Sequence, residues 1–246
     1  MKKEKFKSNI VEYYKGDEFS KDINYIRTTS WRNDTVKYWN EHIRNNIIND
    51  NKLVNINDLF TGHTTIVDDY LKMKLINSED YIVQSINEEI SDYGFKVYRV
   101  GILSFYDRIM SMINIVDHTD KTFTKFVKII KSLRHNAITS SLSDRGRRWR
   151  EYYKFKNEYI LLTNVQLGDS KRDILTKDID YGYSLTTHKS QGSTYTNIGV
   201  DLSDIIFNEK GKLILNNKFN PNAVSIRNRL SYVALSRASK KAIILI

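Results

Sequence analysis

An α/β fold carrying a β-rich insertion is what this sequence predicts, and three stretches carry the prediction. Residues 23–28 read as a strand that passes through a polar turn into a helix with Val36, Trp39, Ile43 and Ile47 on one face. Residues 53–103 then break into short β-prone runs separated by Asn, Asp, Ser and Gly turns. The third stretch, YGYSLTTHKSQGSTYTNIGVD from Tyr181 to Asp201, alternates through Tyr183 and Leu185, opens into a polar loop, and resumes as a strand from Asn197.

The totals bound what such a chain can be. At 246 residues it can bury one large core or two small ones. Its 40% apolar and 28% charged content is that of a soluble globular protein, with no apolar run long enough to span a bilayer and no signal-peptide pattern in its lysine-rich start. No membrane association and a cytoplasmic setting are expected. Cysteine is absent, which excludes disulfides and cysteine-based zinc sites, and the five histidines have no metal-ligand spacing, so no protein-built metal site is expected. The net charge of +10 favours a polyanionic partner, nucleic acid foremost. A lysine-, asparagine- and isoleucine-rich composition of the kind an AT-rich genome produces accounts for part of that charge.

Taken in order, residues 1–21 are polar, with Ile10, Val11 and Tyr14 offering one weak helical stripe, and read as a connecting segment. Asn33 or Asp34 is placed to cap the helix after the first strand. Within the insertion, strands are expected at 64–67, 81–86, 95–103 and 112–116. Thr119 opens an amphipathic helix with Phe123, Phe126, Val127, Ile130 and Leu133 on one stripe and Lys125, Lys128 and Lys131 on a solvated face. The run Ser143 to Tyr153 follows, in which arginines alternate with Trp149, Tyr152 and Tyr153. Arginine pairs with phosphate and aromatic rings stack on bases, so Arg147, Arg148 and Trp149 are candidate nucleic-acid contacts. Alternatively the aromatics pack into the core at helical spacing and the arginines are solvated. Residues 160–162 read as a strand and 168–180 as a polar loop.

The loop Thr186-Thr187-His188-Lys189-Ser190-Gln191-Gly192 has chemistry suited to phosphate. Hydroxyls and backbone N–H groups donate to phosphate oxygens, glycine allows close approach, and lysine adds charge. Its spelling is more specific than its chemistry. THKSQG resembles motif V of superfamily 1 helicases, and LSYVALSRA, from Leu230 to Ala238, resembles their motif VI. RTTSWRNDTVKYWNEHIR resembles motif IV through Trp31, Asn33, Val36 and Asn40. The resemblance is to RecD-like helicases, in particular the phage Dda type; it is specific over residues 182–246, extends to 22–44, and is weak between.

That resemblance implies a RecA-like parallel sheet built from residues 1–50 and 155–246. Residues 51–154 would form an inserted small barrel, Src-homology-3-like, with a helical basic segment. Such helicases hold ATP between two RecA-like domains: the first supplies the P-loop and the Mg²⁺-binding acid, the second supplies charge across the cleft. By resemblance Arg237 is the arginine finger, and Gln191 and Gly192 face the nucleotide. Thr186, His188, Lys189 and Asn33 would contact single-stranded DNA. Where relatives carry Ser-Glu-Phe after the motif V glycine, this chain has Ser193-Thr194-Tyr195, which withdraws the glutamate's ATP-facing role from position 194. No G-x-x-x-x-G-K-[ST] occurs among the ten glycines, and no hydrophobic strand ends in Asp-Glu. The chain therefore reads as the C-terminal half of a 5′-to-3′ motor, inactive alone and requiring a P-loop-bearing first domain. A noncatalytic nucleic-acid-binding module descended from such a motor is the alternative.

Overall fold

The computed structural model describes residues 2–48, 50, 52–67, 72–170 and 173–246. It divides into two units, Met1–Asn51 with Gly182–Ile246, and Lys52–Tyr181.

The amino-terminal residues are a packed helix rather than a connector. Helix α1 (Lys3–Lys15) buries Phe6, Ile10, Val11 and Tyr14, and Phe6 lengthens the stripe of the other three enough to cover a sheet. After α2 (Asp17–Lys21) comes β1 (Ile26–Ser30), buried at every position although four of its five residues are polar. Helix α3 (Asn33–Ile47) begins one turn later and buries Val36, Trp39, Asn40 and Ile43.

The chain then builds the second unit. Its strands are β2 (Leu59–Gly62), β3 (Ile66–Val67), β4 (Met73–Leu75), β5 (Asp80–Ile90), β6 (Lys96–Ser104) and β7 (Met110–Val116). Strands β5 and β7 contain the runs expected at 81–86 and 112–116, β6 matches 95–103 to within a residue, β3 takes only the end of 64–67, and β2 and β4 lie where no strand is expected. Helices α4 (Phe123–Thr139) and α5 (Leu142–Glu158) follow, then β8 (Tyr159–Ile160), β9 (Val165–Gln166), β10 (Ile174–Leu175) and β11 (Ile179–Tyr181). Six of these form one sheet in the order β11-β2-β5-β6-β7-β8, antiparallel except for the β7–β8 pair. Its two ends meet: Leu161 O accepts from Asp178 N at 2.8 Å and from Ile179 N at 3.2 Å. One face buries Phe60, Val83, Val100, Ile102 and Ile113, while α4 and α5 close over Phe95, Phe126, Ile130, Phe155 and Tyr159.

The domain boundary expected near residue 155 falls instead at Tyr181–Gly182. Strand β8 pairs with β7 and β11 with β2, which ties the intervening chain to the insertion's sheet. Of the polar loop expected at 168–180, residues 171–172 lie outside the described residues; β10 occupies part of the rest.

Returning to the first unit, β12 (Ser184–Thr186) and β13 (Tyr195–Asp201) flank β1, followed by α6 (Leu202–Ile206), α7 (Ala223–Leu235) and β14 (Ala238–Leu245). The sheet runs β12-β1-β13-β14 with every pair parallel. Gly199 lets α1 sit directly on β13, since a Cβ there would lie 2.4 Å from Ile10 Cδ1. Trp39 of α3 lies on the same side and donates its Nε1–H to Asp201 at 2.9 Å. The opposite face packs Leu185, Ile198 and Val200 against Ile205, Leu230 and Ala234 of α6 and α7. Helices thus cover both faces of a parallel sheet, the arrangement that βαβ crossovers produce.

Candidate nucleotide and nucleic-acid interface

The connections out of β1 and β13 leave toward opposite faces, and a crevice at the carboxyl ends of such neighbouring strands is where open α/β sheets hold ligands. Here Asp204 fills it. Its Oδ2 accepts from Trp31 N and Arg32 N, both at 2.8 Å, and its Oδ1 accepts from Arg32 Nε and from Thr35 Oγ1. The side-chain cap expected from Asn33 or Asp34 is absent: Arg32 stands at the cap position and its side chain makes no capping bond to the helix, and Asp204, on α6, secures this turn instead. Asn33 is left exposed at the first position of α3.

Beside that end of β1 begins the loop after β12. Thr187 donates both its N–H and its Oγ1–H to Ser30 O, at 2.8 and 3.1 Å. The loop then folds on itself. Ser190 N donates to Thr186 O at 3.1 Å, Ser190 Oγ to Thr187 O at 2.9 Å, Lys189 N to Thr186 Oγ1 at 3.3 Å, and Ser193 N to Ser190 O at 3.2 Å. Thr187 and Ser190 are buried, which turns His188, Gln191 and Gly192 outward and leaves Thr186 and Lys189 half-buried. Gly192 has φ of +87° in open space, so only its backbone conformation demands glycine.

The far end of the loop meets Arg237, which follows α7. Tyr195 N donates to Arg237 O at 2.9 Å, and Arg237 Nη1 reaches Ser193 O at 3.5 Å. Its Nη2 donates to Ser236 Oγ at 2.9 Å, while Nε is buried with no hydrogen-bond partner among the described residues. The structure therefore joins Arg237 to Ser193 and Tyr195 at the far end of the loop, just after Gln191 and Gly192 in sequence, while Thr186, His188 and Lys189 stand at the end bonded to Ser30, on the strand that leads toward Asn33.

Two buried polar residues that the sequence does not single out for this role brace the chain on either side of this loop. Arg27, inside β1, donates Nη1 to Gly182 O ahead of β12 and lies 5.3 Å from the centroid of the Tyr195 ring beyond the loop. Tyr14 donates its hydroxyl to Tyr183 O, and burial pushes its ionisation well above the usual tyrosine range. Asn40 also fixes β12, exchanging hydrogen bonds with Ser184 O at 3.2 Å and Ser184 N at 2.6 Å. An arginine in the middle of a buried strand was the one available signal for Arg27.

Arg147, Arg148 and Trp149 belong to α5 of the second unit. Arg147 pairs with Asp144 and Glu151, and Arg148 with Glu151, all on the same helix. Trp149 is partly buried against the α4–α5 core and stacks on Tyr153. Among the described residues no group of three or more His, Cys, Asp or Glu is placed to hold a metal ion, and no helix is long and apolar enough to cross a membrane.

No family model matches the chain. It is 24% identical, over 238 residues, to an uncharacterized protein of Acanthamoeba polyphaga mimivirus, a match taking in 80% of this chain and 47% of that protein. Among solved structures it is similar to the Pif1 helicase from Candida albicans, with TM-score 0.46, 14% identity and coverage of 90% of this chain and 44% of that one. It is also similar to a Pif1 helicase from Bacteroides in complex with ADP-AlF3 and ssDNA, with TM-score 0.42, 12% identity and coverage of 97% and 44%. The chain spans less than half the length of each of these proteins.

Proposed function

We propose that this chain is the second RecA-like half of an ATP-dependent superfamily 1 DNA helicase of the RecD-like or phage Dda type. In this reading it contributes to 5′-to-3′ translocation on single-stranded DNA, in replication or repair, and its second unit is the Src-homology-3-like insertion. The observation that carries the proposal is the meeting of the motif V loop with the motif VI arginine at Ser193 and Tyr195. Two motifs separated in sequence and recognised independently lie against each other in the fold.

Arg237 fits the phosphate end of a nucleotide. Its guanidinium is held loosely by a carbonyl and a hydroxyl, and it retains a buried donor that an incoming oxygen would satisfy. ATP, bound across the domain cleft, supplies the phosphoryl group; Mg²⁺ and the P-loop contacts belong to the first RecA-like domain. The planar fork of Arg237 stabilises charge developing on the transferring group, an effect of about a thousandfold or more in rate. Gln191 and the Gly192 backbone, just before Ser193 in the loop, would face the same nucleotide. In this reading Thr186, His188 and Lys189 at the opposite end, together with Asn33 at the start of α3, contact the DNA backbone, so the one loop is the route by which nucleotide state alters grip on DNA.

Fluorescence anisotropy with a single-stranded oligonucleotide tests the DNA half of the proposal. Binding is expected at low salt and should weaken steeply as salt rises, because phosphate neutralisation releases counterions. No binding at low salt, or binding indifferent to salt, would refute it.

A further inference from the structure

The strap between α6 and α7 takes no part in the site above. Phe207 and Leu213 form an isolated bridge, and a second bridge closes the turn from Asn217 to Asn220. Asn217 Oδ1 accepts from Phe219 N and Asn220 N, both at 2.9 Å, so the side chain at the start of the turn fixes its backbone. Two further bonds tie the strap to α7: Val224 N donates to Asn216 Oδ1 at 2.8 Å, and Arg227 Nη1 donates to Ile214 O at 2.9 Å. At the tip of this braced turn Phe219 is 95% exposed, the most exposed large hydrophobic side chain among the described residues.

A lone apolar side chain at a surface is ordinary. Phe219 differs in being displayed on a turn hydrogen-bonded from within and anchored at its base, so little conformational freedom remains to be lost when the ring is covered. The strap is also net basic. Lys218 precedes it, and the strap carries Lys210 and Lys212 against the single acid Glu209. A flat π-face projecting next to one lysine on a basic strap matches an unpaired base next to its phosphate. A specific protein interface instead buries about 800 Å² per partner around a packed core, and Leu213 and Leu215, 47% and 59% exposed, extend the apolar surface beyond Phe219 only a little.

We propose that Phe219 is a base-stacking contact for single-stranded nucleic acid, with Lys218 on the adjoining phosphate. The inference rests on the DNA-binding reading above and adds a second contact point outside its motifs.

Binding of the intact chain to labelled oligothymidylate, and to the same oligonucleotide carrying abasic sites, tests it. Phe219→Ala should weaken oligothymidylate binding about fivefold to a hundredfold while leaving its salt slope and the abasic affinity unchanged. Phe219→Trp should restore the affinity, with its fluorescence quenched on binding. Lys218→Gln should reduce the salt slope by about one phosphate's worth. Wild-type affinity in Phe219→Ala, or an equal loss on both oligonucleotides, would overturn the stacking role. So would a Phe219→Ala variant that changes self-association in light scattering and not DNA affinity, which would assign the ring to a protein contact. If the wild-type chain binds neither oligonucleotide, the DNA reading itself fails first.

Discussion

Asp178 accepts from Lys156 Nζ at 2.7 Å and from Leu161 N at 3.1 Å. Its carboxyl nevertheless titrates above the ordinary range, because burial outweighs the ammonium beside it. The folded chain thus holds this proton more tightly than the unfolded chain, and Asp178 alone makes stability fall as pH rises from about 4 through its raised value. Two charges removed from water are often no better than a well-packed neutral pair, whereas one left alone costs about 3 kcal/mol or more. Lys156→Met should therefore lower the melting temperature at neutral pH. Lys156→Met with Asp178→Asn, which keeps an acceptor for Leu161 N, should restore it or exceed the wild type. A double variant as unstable as the single one would show that the ion pair itself holds the insertion together.

At the scale of elements, the seating of α1 on β13 depends on Gly199. A methyl group there would meet Ile10 Cδ1 at 2.4 Å and Phe6 Cζ at 3.4 Å. Gly199→Ala should cost about 1–3 kcal/mol by overpacking, and adding Ile10→Val, which removes the clashing carbon, should recover much of that loss in urea unfolding. A neutral Gly199→Ala would mean that α1 does not lie against that strand. Local pattern alone makes β5, β6 and β7 of the insertion, the Phe126–Ile130 stripe of α4 and the loop between β12 and β13 legible in the sequence, but not the short β2 and β4. It does not reveal α1, whose stripe is convincing only once Phe6 is joined to Ile10 and Tyr14. Nor does it reveal Asp204, because rules for caps consult neighbouring residues and this carboxylate arrives from another helix. The domain boundary escapes local pattern for a similar reason: β8 and β11 are two or three residues long, and only their partners in β7 and β2 show which sheet they join. In the candidate site, motif spelling singles out Gln191, Gly192 and Arg237 for the test below, while the bracing by Arg27 and Tyr14 shows only in the fold.

For the molecule as a whole, the proposed function makes this chain the donor of charge across a nucleotide cleft whose phosphate cradle lies on another domain. Steady-state ATP hydrolysis on DNA by a motor reconstituted from this chain and a P-loop-bearing first RecA-like domain tests that most directly. Wild type, Arg237→Ala and Arg237→Lys would be compared, with thermal melting and DNA affinity recorded on the same proteins. The chain alone should not hydrolyse ATP. In the reconstituted motor Arg237→Ala should lower kcat about a thousandfold, with DNA affinity and melting temperature little changed. Arg237→Lys should rescue little, since an ammonium on a flexible stem lacks the planar fork. An Arg237→Ala motor that turns over at the wild-type kcat, or one whose melting temperature and DNA binding collapse together with its kcat, would contradict the assignment.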